Sequence, residues 1–495
     1  MASNKNGKPE GTDPCLRIVP LGLNDDTFIN RCVVVSVLLK FDHKLETTKL
    51  RLALDRLLQF PTWNKLGSRV RKKNSRLEFH IPHSFCSERP GYLWSAESTA
   101  CPIEKHVAGS QIPSRFDKAF VASSPDALRP LIFDHDAPRR LRDYLNGDTP
   151  LLAIRVMTFD DATTVAVSWP HIMSDVNGIR SFLDAWSLVM AKRDAEVKSL
   201  HGFDFDPLEP LEHRGRPEDW AHCDYILSTR QKVKWIGRLT GELVRYRDFE
   251  WRTFCLPLAH ITSLKKLALE EMQRTEPSPT RPHFLSDGDI IVGFVTRILA
   301  SSLPTRSVAI FCALSIRKLF PDIFPPDKIF IGNALSATVT LIPKGGSPSK
   351  SVGYIAAHFR KELNLQATQP QQESLMAMNS AAYRKGRLPE AAVGDSSAVV
   401  LAFTNWTQAR FFDIDFSGAL RNGDHNDPAR AHPVLTKPSY VGQLETASQR
   451  PNSRYLTVIK GQDAKGNYWI DGVYRKATWE VIVRLLHDIN NDNTT

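Results

Sequence analysis

The chain has 495 residues, of which 42% are hydrophobic and 24% charged, with a formal net charge of +10. These figures exclude a mostly disordered chain, a collagen and a coiled coil, and the length suits two large domains. No run of about 18 apolar residues occurs, so no membrane span is expected, and the excess of Lys and Arg reads as a basic soluble surface.

Met1 to Asp13 is polar and lacks an apolar h-region, so residues 1–15 read as a disordered tail without a secretory signal. Cys32 to Leu39, rich in Val and Leu, predicts a buried strand. Leu50, Leu54, Leu57 and Leu58 recur at helical spacing until Pro61 stops them. Leu77 to Ile81 alternates as a strand does, and residues 151–169 alternate on both sides of Asp160-Asp161, predicting a hairpin. Ile179, Phe182, Leu183, Trp186, Val189 and Met190 mark one face of a helix.

Pro207, Pro210, Gly215 and Pro217 among charges place a linker at 201–222. The expected domains are therefore 16–200 and 223–495. Val233, Trp235, Ile236, Leu239, Leu243 and Val244, with Lys and Arg opposite, predict a basic amphipathic helix. It is read as covering the body of the protein, with contact to a membrane surface as the alternative. After a polar break at Thr275 to Pro282, Ser286 is a fitting N-cap for a helix that starts near Asp287.

Several chemistries fall on missing motifs. There is no G-x-S-x-G, no Walker-type phosphate loop, no G-x-G-x-x-G and no H-E-x-x-H. Seven Cys at irregular spacing, without C-x-x-C, support neither a disulfide framework nor zinc, and fit a reducing cytosol. The cluster Arg69 to Arg76 lacks interleaved aromatics, so nucleic acid is not expected as a partner. His80 and His83 lack a third ligand, and no metal is expected. His425 and His432 read as loop histidines, and Cys312 as a small core residue.

The informative pattern is His171-Ile172-Met173-Ser174-Asp175, followed by Gly178. A second H-x-x-x-D, His283 to Asp287, sits at an ordinary loop position before a helix cap. His171 instead leaves a strand after Trp169-Pro170, and strand ends facing a crevice are where α/β proteins place reactive groups. A neutral imidazole can take a proton from a hydroxyl or amine near neutral pH. A carboxylate four residues on can fix the turn, provided a cation compensates it. On spacing alone a purely structural histidine stands as an equal alternative.

Six segments, in order and spacing, resemble the BAHD acyltransferase family of plants and fungi. They are Leu50 to Arg69 (LRLALDRLLQFPTWNKLGSR), Leu151 to Gly178, Ser286 to Ala300 (SDGDIIVGFVTRILA), Leu314 to Ala334 (LSIRKLFPDIFPPDKIFIGNA), Thr404-Asn405-Trp406, and Asp413 to Ala419 (DIDFSGA). The resemblance implies an α/β fold of two chloramphenicol acetyltransferase-like domains, each a mixed sheet flanked by helices, with a channel between them. It implies that His171 is the general base, that Asp175 is structural and held by Arg317, that Thr404 and Trp406 line the acyl and oxyanion site, and that Asp415 holds its own loop. Acyl-CoA would be a co-substrate, with no permanently bound cofactor and no metal.

The implied reaction is direct attack by a hydroxyl, in preference to an amine, of a small secondary metabolite in a ternary complex. The implied protein is a cytoplasmic monomer without stable membrane insertion. Two departures stand out: Asp415-Phe416-Ser417-Gly418-Ala419 replaces D-F-G-W-G, and Pro170 stands where condensation domains usually have a second His. Two alternatives follow, a carrier-protein thioester as donor, or a catalytically silent binding or regulatory member.

Overall fold

The computed structural model describes residues 16–113, 118–275, 284–303, 306–344, 351–385, 392–421, 436–446 and 453–492. The expected tail, His283, His425 and His432 lie outside the described residues.

Thr163–Pro170 is buried at every position, as a central strand rich in β-branched residues should be. It pairs antiparallel with Ala153–Thr158 around the Asp160-Asp161 turn and with Val34–Phe41 on its other side. Leu93–Ser98 and Tyr440–Glu445 complete this five-stranded sheet. Helices Thr47–Leu57 and Val176–Met190 lie together, and the indole of Trp186 donates to the Leu50 carbonyl at 3.0 Å. Phe416 joins them to the sheet, its ring 5.2 Å from both Phe41 and Trp186.

The second half forms a seven-stranded mixed sheet in the order Leu335–Ile342, Val308–Ser315, Val399–Asn405, Leu456–Gln462, Tyr468–Arg475, Phe249–Leu256 and Phe120–Val121. Helices Leu258–Thr275, Asp287–Ser301, Val352–Gln366 and Lys476–Asp492 flank it around a second apolar core. Ser286 caps Asp287–Ser301 by a reciprocal pair of bonds with Asp289. Asp287 starts that helix, with one carboxylate oxygen 2.9 Å from Lys265 and the other 2.8 Å from the Tyr468 hydroxyl.

Each large sheet borrows a strand from the other half of the chain. Tyr440–Glu445 lies on Val34–Phe41 with Val35 opposite Glu445, and Phe120–Val121 lies on Phe249–Leu256. The two halves are thus joined by main-chain hydrogen bonds as well as by side-chain packing. The stretch 201–222 runs from the first half, where Gly202 and Asp204 meet Lys65 and Arg17, onto the second. Leu200 bridges to Ile329, and a Cβ at Gly215 would fall 2.3 Å from the Glu373–Ser374 backbone.

The basic helix forms, over Thr229–Arg245, but it does not cover the body with its apolar face. It has no buried residue, and Val233, Ile236 and Val244 are 66%, 54% and 64% exposed. Its inward side is narrow: the Trp235 indole donates to the Ala398 carbonyl, and Glu242 pairs with Arg306. Periodicity reveals an amphipathic stripe but not which side the body occupies.

Candidate active site

His171 follows the buried strand Thr163–Pro170, and its turn is held from both halves of the chain. Its backbone N–H donates to the Val33 carbonyl at 2.9 Å, and its carbonyl accepts from the Asn333 side-chain amide at 2.8 Å. The imidazole Nδ1 is enclosed in protein without a hydrogen-bond partner. Burial lowers the His171 pKa from the usual 6.5, opposed by a backbone hydrogen bond, the Asp175 charge and the Asn333 side chain. The ring is therefore neutral at neutral pH.

Asp175 is fully buried and uses both carboxylate oxygens twice. Arg317 forks onto it at 2.7 and 3.0 Å, the Ala334 amide donates to one oxygen at 2.9 Å, and the Gly178 amide donates to the other at 2.9 Å. The last bond makes Asp175 the N-cap of Val176–Met190. Arg317 also donates to the carbonyls of Phe330 and Gly332. Gly178 permits the approach of the second half: a Cβ there would lie 2.2 Å from the Ile331 carbonyl oxygen.

Thr404 is the second-to-last residue of the strand Val399–Asn405, and the Trp406 indole donates to its hydroxyl oxygen at 3.2 Å. The 3-10 turn Thr407–Ala409 that follows meets the helix behind His171, because Arg180 donates to the Ala409 carbonyl at 2.7 Å. Asp415 lies elsewhere. Its carboxylate accepts from the amides of Ser417 and Thr436 at 2.9 and 3.0 Å and from the Ser417 hydroxyl, and its carbonyl accepts from Ser187. Ser187 is near the far end of Val176–Met190, so Asp415 is about a helix length, roughly 20 Å, from His171. Where D-F-G-W-G is altered, Gly418 packs on the Met190 backbone, 2.6 Å from where a Cβ would be.

Sequence reasoning missed Asp25 and assigned nothing to Asn333. One Asp25 oxygen accepts both the backbone and the side-chain N–H of Asn333, each at 2.8 Å, and that side chain holds the His171 carbonyl. Burial pushes the Asp25 carboxyl up to about 7, despite the Asn333 donors and the nearby Lys65. Burial likewise lowers the Lys65 ammonium, which donates to the Gly202 carbonyl. The only sequence signal was Asn333 after Gly332 in a resembling segment.

Two cavities lie along the seam. One is lined by Asn24, Asp206, Leu335, Ser336 and Tyr383 among others; another, smaller one lies between Gln443, Glu445 and Asp471. Among the described residues no group of three or more His, Cys, Asp or Glu could hold a metal ion. His80 binds Glu78 at 2.8 Å, and burial pushes the Cys312 thiol up to about 12, so it is a poor nucleophile.

No family model matches the chain. It is 32% identical to the acetyltransferase adrJ of Penicillium roqueforti, over 97% of each chain. It is also 32% identical to the transcriptional regulator calD of Penicillium decumbens, over 96% of each, and to the O-acetyltransferase PaAT-2 of Phomopsis amygdali, over 94% of this chain and 97% of that one. Among solved structures it is similar to TRI101 of F. sporotrichioides complexed with coenzyme A and T-2, at a TM-score of 0.62 and 14% identity, covering 93% of this chain and 96% of that one. The chain belongs to the BAHD-type family of acyl-CoA-dependent acyltransferases and has their fold of two chloramphenicol acetyltransferase-like domains. By class it is an acyl-CoA-dependent acyltransferase.

Proposed function

We propose that this protein transfers an acyl group from acyl-CoA to a hydroxyl of a small secondary metabolite, with His171 as general base. The observation that carries this reading is the His171 turn: its backbone is held at the seam by Val33 on one side and Asn333 on the other, beside an Arg317–Asp175 clamp, and it carries a neutral imidazole. The similarity to O-acetyltransferase PaAT-2 supports a hydroxyl acceptor, and the coenzyme A complex of TRI101 supports the donor. Residues 16–200 and 223–495 would supply the two halves, joined by 201–222. The free cysteines among the described residues support a reducing cytosol, and the enzyme would act as a monomer.

The step balances without an acyl-enzyme. Nε2 of His171 takes the proton of the acceptor hydroxyl while its oxygen attacks the thioester carbonyl. The tetrahedral oxyanion collapses, the C–S bond breaks, and the coenzyme A sulfur leaves with the proton returned by the imidazolium. Nε2 is the candidate atom because Nδ1 is enclosed. Thr404 would donate to the oxyanion: its oxygen already accepts from Trp406, leaving its own O–H to give. Such a donor is worth about 2.7–4 kcal/mol.

Thiol release from a panel of acyl-CoAs, with and without alcohol acceptors, tests this. His171→Ala is expected to lower kcat by about 10²–10⁴-fold in a folded protein; intact turnover would end the general-base assignment. Release only from a carrier-protein thioester would replace the donor. The similarity to calD supports a second reading, a silent regulatory member. It would be established by ligand binding without turnover for any donor.

A further inference from the structure

The helix Thr229–Arg245 presents three sides. Trp235 and Glu242 face the body. Next to them Ile236, Val233 and Val244 form an outward apolar stripe, with Leu239, 37% exposed, at its inner edge. Gly237 and Gly241 carry nothing within 4 Å of an added Cβ, so nothing overhangs that surface. Along the stripe's other edge Arg230, Lys234, Arg238 and Arg245 are all exposed, at helical spacing. The helix has a single acidic residue, Glu242, and that one is turned in to Arg306.

Scattered exposed apolar side chains are ordinary, but an apolar row beside a cationic row on one helix marks an interaction surface. We propose that this helix docks the protein peripherally and reversibly on an anionic lipid surface. The stripe would enter the headgroup boundary, and the basic row would meet lipid phosphates and carboxylates. Charge selects this occupant. A second copy would bring the same basic row and the same net charge of +10 face to face, whereas an anionic bilayer attracts both. At 17 residues the helix is about 26 Å long and lies in the interface plane. No helix of the described residues is long and apolar enough to cross a membrane. The proposal is independent of the acyl-transfer chemistry.

Co-sedimentation with phosphatidylcholine vesicles, with and without phosphatidylserine, tests it. The expected result is binding to the anionic vesicles that weakens about tenfold or more when salt rises from about 0.1 M to about 1 M, since the screening length falls from about 10 Å to about 3 Å. Val233→Glu with Ile236→Glu should remove binding at an unchanged melting temperature. Arg230→Gln with Lys234→Gln should weaken it while keeping the stripe. Failure of the wild type to bind anionic vesicles, or full binding by the Glu variant, overturns the proposal. So does a dimer in sedimentation velocity that the Glu variant dissociates, because the stripe then belongs to a second copy.

Discussion

Arg317 and Asp175, 142 residues apart, meet as a two-bond fork at 2.7 and 3.0 Å, with the Asp175 side chain fully buried and the Arg317 side chain 18% exposed. The pair joins the turn after His171 to the segment that carries Asn333. Breaking a buried pair costs about 3–5 kcal/mol, because the surviving charge is stranded. Asp175→Asn strands the partner that still reaches solvent, so the lower end applies, about 3 kcal/mol. Arg317→Ala strands the buried carboxylate and is expected to cost more. Chemical denaturation of both variants measures the order; a smaller loss for Arg317→Ala would contradict it.

Gly178 offers a test with a reversed sign. Inside a helix, Gly→Ala ordinarily stabilises by about 0.8–1 kcal/mol. Here the new Cβ would fall 2.2 Å from the Ile331 carbonyl and 2.3 Å from the Ser174 hydroxyl. The first obstacle is backbone and cannot swing aside, and such overpacking costs about 1–3 kcal/mol. Gly178→Ala is therefore expected to lower stability and to lower activity as well, since the contact seats the His171 turn against the second half. A stabilised, fully active variant would show that the halves separate easily there.

Part of this arrangement was legible in the sequence. Alternation around Asp160-Asp161 and the 3.6-residue spacing from Ile179 to Met190 are local patterns, and both elements form where they predict. The pairing of Tyr440–Glu445 with Val34–Phe41 links residues about 400 apart, and nothing in either strand specifies its partner. Asn333 and Asp25 escaped for a related reason. Asn333 reaches His171 through a main-chain carbonyl, which carries no residue-type signature, and Asp25 acts only through Asn333. The stripe of Thr229–Arg245 was visible, but amphipathicity does not say whether protein or solvent lies on the apolar side.

The pH dependence of turnover follows from the sign of the His171 shift. Burial disfavours the imidazolium, so the ring stays neutral down to a pH below the usual 6.5. A base must be unprotonated, so kcat/KM should fall on the acid side with a midpoint under about 6.5. Stability moves with it. The folded state binds fewer protons than the unfolded one around this group, so His171 contributes a loss of stability as pH falls through 6.5 toward the folded value. An acid limb centred above 6.5 would mean that another group, or a charged ring, governs the step.

Asn333 separates positioning from mere packing. Its side-chain amide spends both protons, one on Asp25 and one on the His171 carbonyl, while its own oxygen is buried without a partner. Asn333→Ala removes two donors, and each lost net hydrogen bond costs about 1 kcal/mol. The backbone bond from residue 333 to Asp25 would survive, so the protein should still fold. The His171 carbonyl, however, would lose its own tether to the second half. A displacement of about 1 Å at a reacting group can cost about 10²-fold in rate. The expected outcome is a kcat lowered by roughly that factor with KM for both substrates nearly unchanged, and a modest fall in melting temperature. If KM rises while kcat holds, Asn333 contacts substrate instead; if only stability falls, the tether does not position the imidazole.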